Sequence, residues 1–174
     1  MGNIFLVGMM GAGKTTIGKA LARKLDRQFF DTDQVIAQRT GVAIPIIFEI
    51  EGEDGFRARE STVIRDLSQL SNSVIATGGG VVLRERNREI LKTAGTVIYL
   101  RASPDDLWRR TSRDRNRPLL QTANPQQTLR DLYAQRDPLY HEVADIIVDT
   151  SSQSVLRLVN ELLQKLSAFP VSTL

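Results

Sequence analysis

The eight residues Gly8-Met9-Met10-Gly11-Ala12-Gly13-Lys14-Thr15 satisfy the spacing G-x-x-x-x-G-K-[ST] at every fixed position. No other feature restricts the fold of this chain as much, because the flanks agree with it. Ile4-Phe5-Leu6-Val7 before it read as a short buried strand, and Ile17, Ala20, Leu21 and Leu25 after it recur at helical spacing. Strand, glycine turn and helix in that order aim backbone N–H groups, a positive helix end and one ammonium at a single point. Glycines at 8, 11 and 13 let the turn take positive φ and approach an anion closely. The cradle suits a polyphosphate, with Lys14 reaching its β- and γ-phosphates and the Thr15 hydroxyl ligating Mg²⁺. A chance glycine-rich turn is the alternative, and the matching flanks weigh against it.

Five apolar runs read as strands: Asn3–Val7, Phe29–Thr32, Val74–Thr77, Thr96–Leu100 and Asp145–Asp149. Helical stripes lie between and after them, at Phe56, Val63, Ile64, Leu67 and Leu70, at Leu83, Ile90, Leu91 and Ala94, and from Val155 through Leu166. Alternating strands and helices predict an α/β fold, a parallel sheet covered on both faces. Ligands of such sheets bind beyond the carboxyl ends of the strands. Those ends carry the phosphate turn, then Asp31-Thr32-Asp33, then Gly78-Gly79-Gly80. Residues 34–60 and 109–124 lack strand character and are expected to project from the sheet.

With 174 residues, 41% of them hydrophobic, the chain has the size of one domain with a real core, 1–174. Residues 167–174, with Pro170, are expected to fray. No apolar run approaches the ~18 residues of a membrane span, and the first strand begins too early for a signal peptide. Met1-Gly2 fails the myristoylation pattern because Leu6 stands where Ser or Thr is required. The absence of cysteine excludes disulfides, thiolate metal sites and cysteine nucleophiles. The expectation is a cytoplasmic protein. Its net charge is +3, with five Arg against one Asp in residues 109–117. No aromatics interleave there and no second dense basic cluster exists, so a phosphate-handling loop is favoured over a nucleic-acid patch.

In an extended chain Asp31 and Asp33 face the same side, so one can hold the Mg²⁺ shell while the other reaches an acceptor hydroxyl and takes its proton. The competing reading makes Asp33 the cap of a helix starting at Gln34-Val35-Ile36. Three glycines after a buried strand cost chain entropy unless backbone must approach something closely. Arg57 and Arg136 could be solvated surface groups. Glu60 could pair with Arg57 or fix its fork for a ligand carboxylate. Arg117-Pro118-Leu119-Leu120 could close as a flap over a nucleotide. His141 reads as structural.

Taken together these residues resemble the shikimate kinase family. The marks are Gly8–Thr16 with Ile17-Gly18, Asp31-Thr32-Asp33, Gly52-Glu53 with Phe56-Arg57 and Glu60, Gly78-Gly79-Gly80, Arg117-Pro118-Leu119-Leu120, and Arg136-Asp137-Pro138-Leu139-Tyr140. They run in family order from Ile4 to about Leu166. The resemblance implies a three-layer α/β/α P-loop kinase fold, a five-stranded parallel sheet of order 2-3-1-4-5, with a substrate-binding helical segment and a mobile lid. It implies ATP-dependent phosphorylation of the shikimate 3-hydroxyl on the route to chorismate. Gly11, Ala12, Gly13, Lys14, Thr15 and Thr16 would cradle ATP, with Arg110 and Arg117 near its phosphates and Gln153 at the adenine. Thr15 would ligate Mg²⁺ and Asp31 would hold it through water. Asp33 would be the base, aided in transfer by Lys14 and Arg117. Asp33, Arg57, Gly79, Gly80 and Arg136 would bind shikimate. The expected partners are shikimate and ATP, with no nucleic acid, no membrane and a monomeric state. Two positions depart from the commoner pattern: Thr15 replaces Ser, and Pro45 enters a helical position of the substrate segment, where it could shift the helix start.

The rivals are a gluconate or nucleoside-monophosphate kinase on the same fold, and a nucleotide-gated binding module that transfers nothing. The Asp31/Asp33 pair with Arg57 speaks against the first. Asp33, Arg57 and Arg136 together speak against the second.

Overall fold

Asn3–Val7 forms β1 and is buried at all five positions, as its unbroken apolar run requires of a central parallel strand. The other strands are β2 (Gln28–Asp31), β3 (Ser73–Ala76), β4 (Gly95–Arg101) and β5 (Ile146–Asp149). All pairings are parallel, in the order β2-β3-β1-β4-β5. Each strand lies within one or two residues of its expected span. The computed structural model describes residues 2–169.

Among the described residues seven α-helices accompany the strands: α1 (Lys14–Leu25), α2 (Thr32–Thr40), α3 (Ile44–Ser68), α4 (Glu85–Ala94), α5 (Pro104–Thr111), α6 (Pro125–Val143) and α7 (Val155–Ala168). α1 and α7 pack together on one face of the sheet, and α3, α4, α5 and α6 build the layer on the other. Ile64 of α3, Leu91 of α4 and Leu162 of α7 are fully buried, so each helix turns its expected stripe inward. Leu70 and Val155 do not follow their stripes; Leu70 lies past the end of α3, Val155 on the first turn of α7, and each is 39% exposed.

The stretch expected to fray begins with Ser167 and Ala168. Both continue α7, which Ser154 caps by accepting from the Arg157 N–H and which Leu158, Val159 and Leu162 anchor in the core. Residues 170–174 of that expectation lie outside the described residues. Pro45 falls at the second position of α3, where a missing N–H breaks no helical bond, so the residue is compatible with the helix start.

Because the strands are parallel, their carboxyl ends share one rim. The phosphate turn, Asp31, Thr77 with the three glycines, Arg101 and Asp149 all leave the sheet there.

Candidate active site

The turn after β1 takes the backbone its glycines permit, with φ of 147° at Gly8, 79° at Gly11 and 97° at Gly13. The Ala12 N–H closes it on the Met9 carbonyl at 3.1 Å. Gly13 precedes α1 without any side-chain cap, so the first N–H groups of a twelve-residue helix remain available to an anion. Lys14 Nζ donates to the Gly8 and Met9 carbonyls at 2.6 and 2.8 Å. Burial lowers its pKa to about 8; Asp33 and Asp31 oppose that shift, and Arg117 and Arg136 add to it.

The acidic pair is arranged differently from the extended-chain expectation. β2 stops at Asp31 and α2 starts at Thr32, so the two carboxylates are set by a helix start. Asp31, not Asp33, is the cap: its Oδ1 accepts from the Asp33 and Gln34 N–H groups at 3.0 and 3.2 Å. Its Oδ2 accepts from the Thr15 hydroxyl at 2.6 Å. Asp33 turns instead into the cleft, where its buried Oδ1 has no protein partner. Burial raises its pKa, the Asp31 charge adds to this, and Lys14, Arg57 and Arg117 pull the other way. Thr32, expected as the last residue of the second strand, is fully buried and accepts the Gly78 N–H on its hydroxyl at 3.0 Å. It fastens the glycine turn to the acidic one.

The three glycines form the floor of the cleft, and their missing Cβ atoms are what lets the charged groups come together. A Cβ at Gly78 would lie 2.7 Å from Glu60 Oε2 and 2.9 Å from Asp33 Oδ1. At Gly79 it would lie 3.2 Å from an Arg136 Nη1, and at Gly80 it would strike the Arg57 guanidinium. None of the three needs positive φ. Arg57 is buried, bonded through Nη1 to Glu60 Oε1 at 2.9 Å and through Nη2 to Glu53 at 3.3 Å. Glu60 is fully buried, and burial raises its pKa against the pull of Arg57.

Arg136, on α6, is 1% exposed and makes no ion pair among the described residues. A buried guanidinium without a carboxylate is costly, so the cleft favours an anion at this point. Asn116, Arg117, Pro118 and Leu119 close one side, with Arg117 Nε 3.0 Å from Asp114 Oδ2. Ile44, Phe48 and Phe56 supply an apolar wall, the two rings 4.7 Å apart. The cleft is open to solvent, and its volume of about 130 Å³ is below the ~300–1,000 Å³ of drug-sized pockets and fits a small polar molecule.

Arg110 and Gln153 stand outside this cleft. Arg110 donates to the Gly11 carbonyl at 3.2 Å and to the Thr150 hydroxyl and carbonyl at 3.2 and 3.1 Å, tying the phosphate turn to the segment after β5. Gln153 lies on that segment, bonded to the Asp149 carbonyl at 3.2 Å, with its Oε1 buried and unpartnered.

Comparison with known proteins agrees with this geometry. Residues 10–167 match the family model described as Shikimate kinase. The shikimate kinase of Burkholderia lata is 60% identical over 164 residues, which cover 94% of this chain and 89% of that protein. That of Chromobacterium violaceum is 59% identical over 169 residues, 97% of this chain and 92% of its own length. A solved structure of the Acinetobacter baumannii shikimate kinase in complex with shikimate superposes with a TM-score of 0.95 at 48% identity, covering 99% of this chain and 96% of that one.

Proposed function

This chain belongs to the shikimate kinase family, and on that premise we propose that it transfers the γ-phosphoryl group of ATP to the 3-hydroxyl of shikimate, releasing ADP and shikimate 3-phosphate on the route to chorismate and the aromatic amino acids. One observation carries the reading: the anion cradle at Lys14, the unpartnered Asp33 carboxylate and the buried Arg57 and Arg136 lie around the same rim of the sheet.

Phosphoryl transfer asks a protein mainly to position the reactants and neutralise charge. The turn from Gly11 to Thr16 cradles the donor phosphates through the N–H groups at the start of α1 that no side chain caps, and Lys14, protonated at neutral pH, spans the β- and γ-groups. Arg136 and Arg57 grip the shikimate carboxylate, and the Gly79 and Gly80 N–H groups donate to the substrate. Asp33 orients the attacking hydroxyl and accepts its proton. Its raised pKa brings a carboxylate closer to the basicity that general-base catalysis favours. Arg117 adds a cation from the segment 109–124, acting as a lid, while 34–60 forms the substrate-binding segment of a single domain. Arg110 and Gln153 lie on the purine side.

The Thr15 hydroxyl and Asp31 carboxylate, 2.6 Å apart, are a hard oxygen pair of the kind Mg²⁺ uses together with nucleotide phosphates and waters. Thr15 would hold the ion directly and Asp31 through water. Bound there, Mg²⁺ supplies charge neutralisation at the β- and γ-phosphates. Among the described residues no helix is long and apolar enough to cross a membrane. Since one chain supplies the whole cleft, we assign a cytoplasmic monomer acting on small molecules, without a nucleic-acid partner.

The test measures ADP release with ATP and Mg²⁺ in the presence of shikimate, gluconate or AMP. Release with shikimate alone is expected. Release with gluconate or AMP instead would assign a different acceptor, and an ATPase rate indifferent to shikimate would make the chain a nucleotide-gated module.

A further inference from the structure

Among the buried ionisable groups that the mechanism above does not use, Tyr140 alone is bonded to the backbone of the glycine turn among the described residues. Tyr140 on α6 is fully buried, and its hydroxyl donates to the Gly79 carbonyl at 2.5 Å while lying 3.7 Å from Met9 Sδ of the phosphate turn. Burial raises its pKa, with Arg136 beside it opposing the shift, so the phenol stays protonated and remains a donor at any working pH. Its ring packs on Tyr99 with centroids 4.9 Å apart, which fixes the direction of the hydroxyl.

From this contact we infer that Tyr140 is a positioning residue for shikimate: by holding the Gly79 carbonyl it fixes the Gly79–Gly80 peptide plane and aims the Gly80 N–H into the cleft. In a trans peptide the C=O and N–H of one unit point in opposite directions. The carbonyl is held toward α6, so the Gly80 N–H points away from it. Among the described residues no backbone carbonyl takes either the Gly79 or the Gly80 N–H, whereas the next N–H, of Val81, is bound by Gly78. Gly79 and Gly80 both line the cleft. A glycine pair has the softest backbone in the chain, so a donor placed on it stays aimed only if something holds the plane. Tyr140 is one helical turn beyond Arg136, so one helix supplies both a cation for the substrate and the restraint on the N–H beside it. The contact with Met9 places the same hydroxyl against the phosphate turn, where the donor is held.

This inference rests on the proposed shikimate kinase activity, and its test separates the two. Tyr140→Phe keeps the ring and its stack and removes only the hydroxyl. The expected result is a rise in KM for shikimate of about five- to tenfold, the range for losing one aligned hydrogen bond, with KM for ATP within about twofold. Tyr99→Phe is the control: its hydroxyl bonds Asp137 at 2.6 Å and does not touch the glycine turn, so it loses comparable stability without that KM rise. Equal KM rises in both variants, or none in Tyr140→Phe, would overturn the inference. Amide relaxation of the ligand-free wild-type protein gives a readout independent of turnover. A rigid Gly80 amide that loosens in Tyr140→Phe is expected, and a Gly80 amide already mobile in the wild type refutes the restraint. A wild type that does not turn over shikimate would count against the proposed function, leaving the relaxation result to decide the role of Tyr140.

Discussion

At the residue scale, the cleft concentrates charges that folding alone would not place there. Asp33 is half-buried, with its buried Oδ1 unpartnered beside Glu60 and Gly78. Asp33→Asn should therefore separate function from stability. Turnover falls by about 10²–10⁴, the usual contribution of a general base, while ATP still binds. The melting temperature rises, since relief of ~1 kcal/mol corresponds to about 2–4 °C in a domain of this size. Near-normal kcat in that variant would remove the base from Asp33. Lys14 gives a second handle. Burial sets its pKa at about 8 in the free protein, whereas phosphates require the ammonium. ATP affinity should fall as pH climbs above about 8, and binding near pH 8.5 should take up a fraction of a proton. Calorimetry in two buffers of different ionisation enthalpy reads that fraction; zero uptake would place Lys14 away from the phosphates. The sequence displayed these residues but not how they connect. Asp31 serves at once as helix cap and as partner of Thr15, and Thr32 bonds Gly78 across 46 positions, links that no local pattern carries.

At the element scale, α3 is two helices joined at Gly52, whose φ of 71° and ψ of −177° belong to glycine almost alone. The bend brings Glu51 and Arg59 into a two-bond ion pair at 2.9 and 2.6 Å, although they are eight residues apart. The segment before the bend carries Ile44 and Phe48 of the cleft wall, and the segment after it carries Arg57 and Glu60. Nothing surrounds the Gly52 Cα within reach of a Cβ, so Gly52→Ala acts through backbone strain alone. It should destabilise the fold by ~1–3 kcal/mol and raise KM for shikimate without changing KM for ATP. Unaltered shikimate kinetics would mean that the bend does not set the wall. The strands were readable because parallel strands buried on both faces are short unbroken apolar runs. The bend was not, since Gly52-Glu53 reads equally well as the end of one helix or the cap of the next. The expectation that both acidic side chains lie on extended backbone failed for a related reason: a helix can begin within one residue of a strand end.

At the scale of the whole molecule, periodicity gave the fold class, but the sheet order came from family resemblance, because nothing local tells β3 to sit between β2 and β1. What the topology assembles is a rim where carboxylates and cations are buried before any ligand arrives, and that has a thermodynamic signature. Asp33 and Glu60 have raised folded pKa values, so the stability they contribute is complete below their unfolded values near ~4 and is lost as pH rises through the folded ones. Lys14 is a base with a lowered pKa. Between about 8 and its ordinary 10.5 the unfolded chain binds more protons, so stability recovers as pH increases across that interval. The exposed pairs of Glu51, Asp66 and Glu142 act oppositely, with lowered pKa values, but their loss occurs only in stronger acid. The ligand-free protein should thus lose stability as pH rises from the ordinary carboxyl range through the raised folded values of Asp33 and Glu60, and regain it between about 8 and 10.5 as Lys14 sheds its proton only in the folded state. Shikimate with a nucleotide should raise the neutral-pH minimum most, since its anions pair Arg136 and Lys14 where the free protein leaves them strained. A ligand-free melting temperature that peaks between about pH 7 and 8 would mean that the rim charges are already compensated, and the case for an anion-seeking cleft would lose its electrostatic basis.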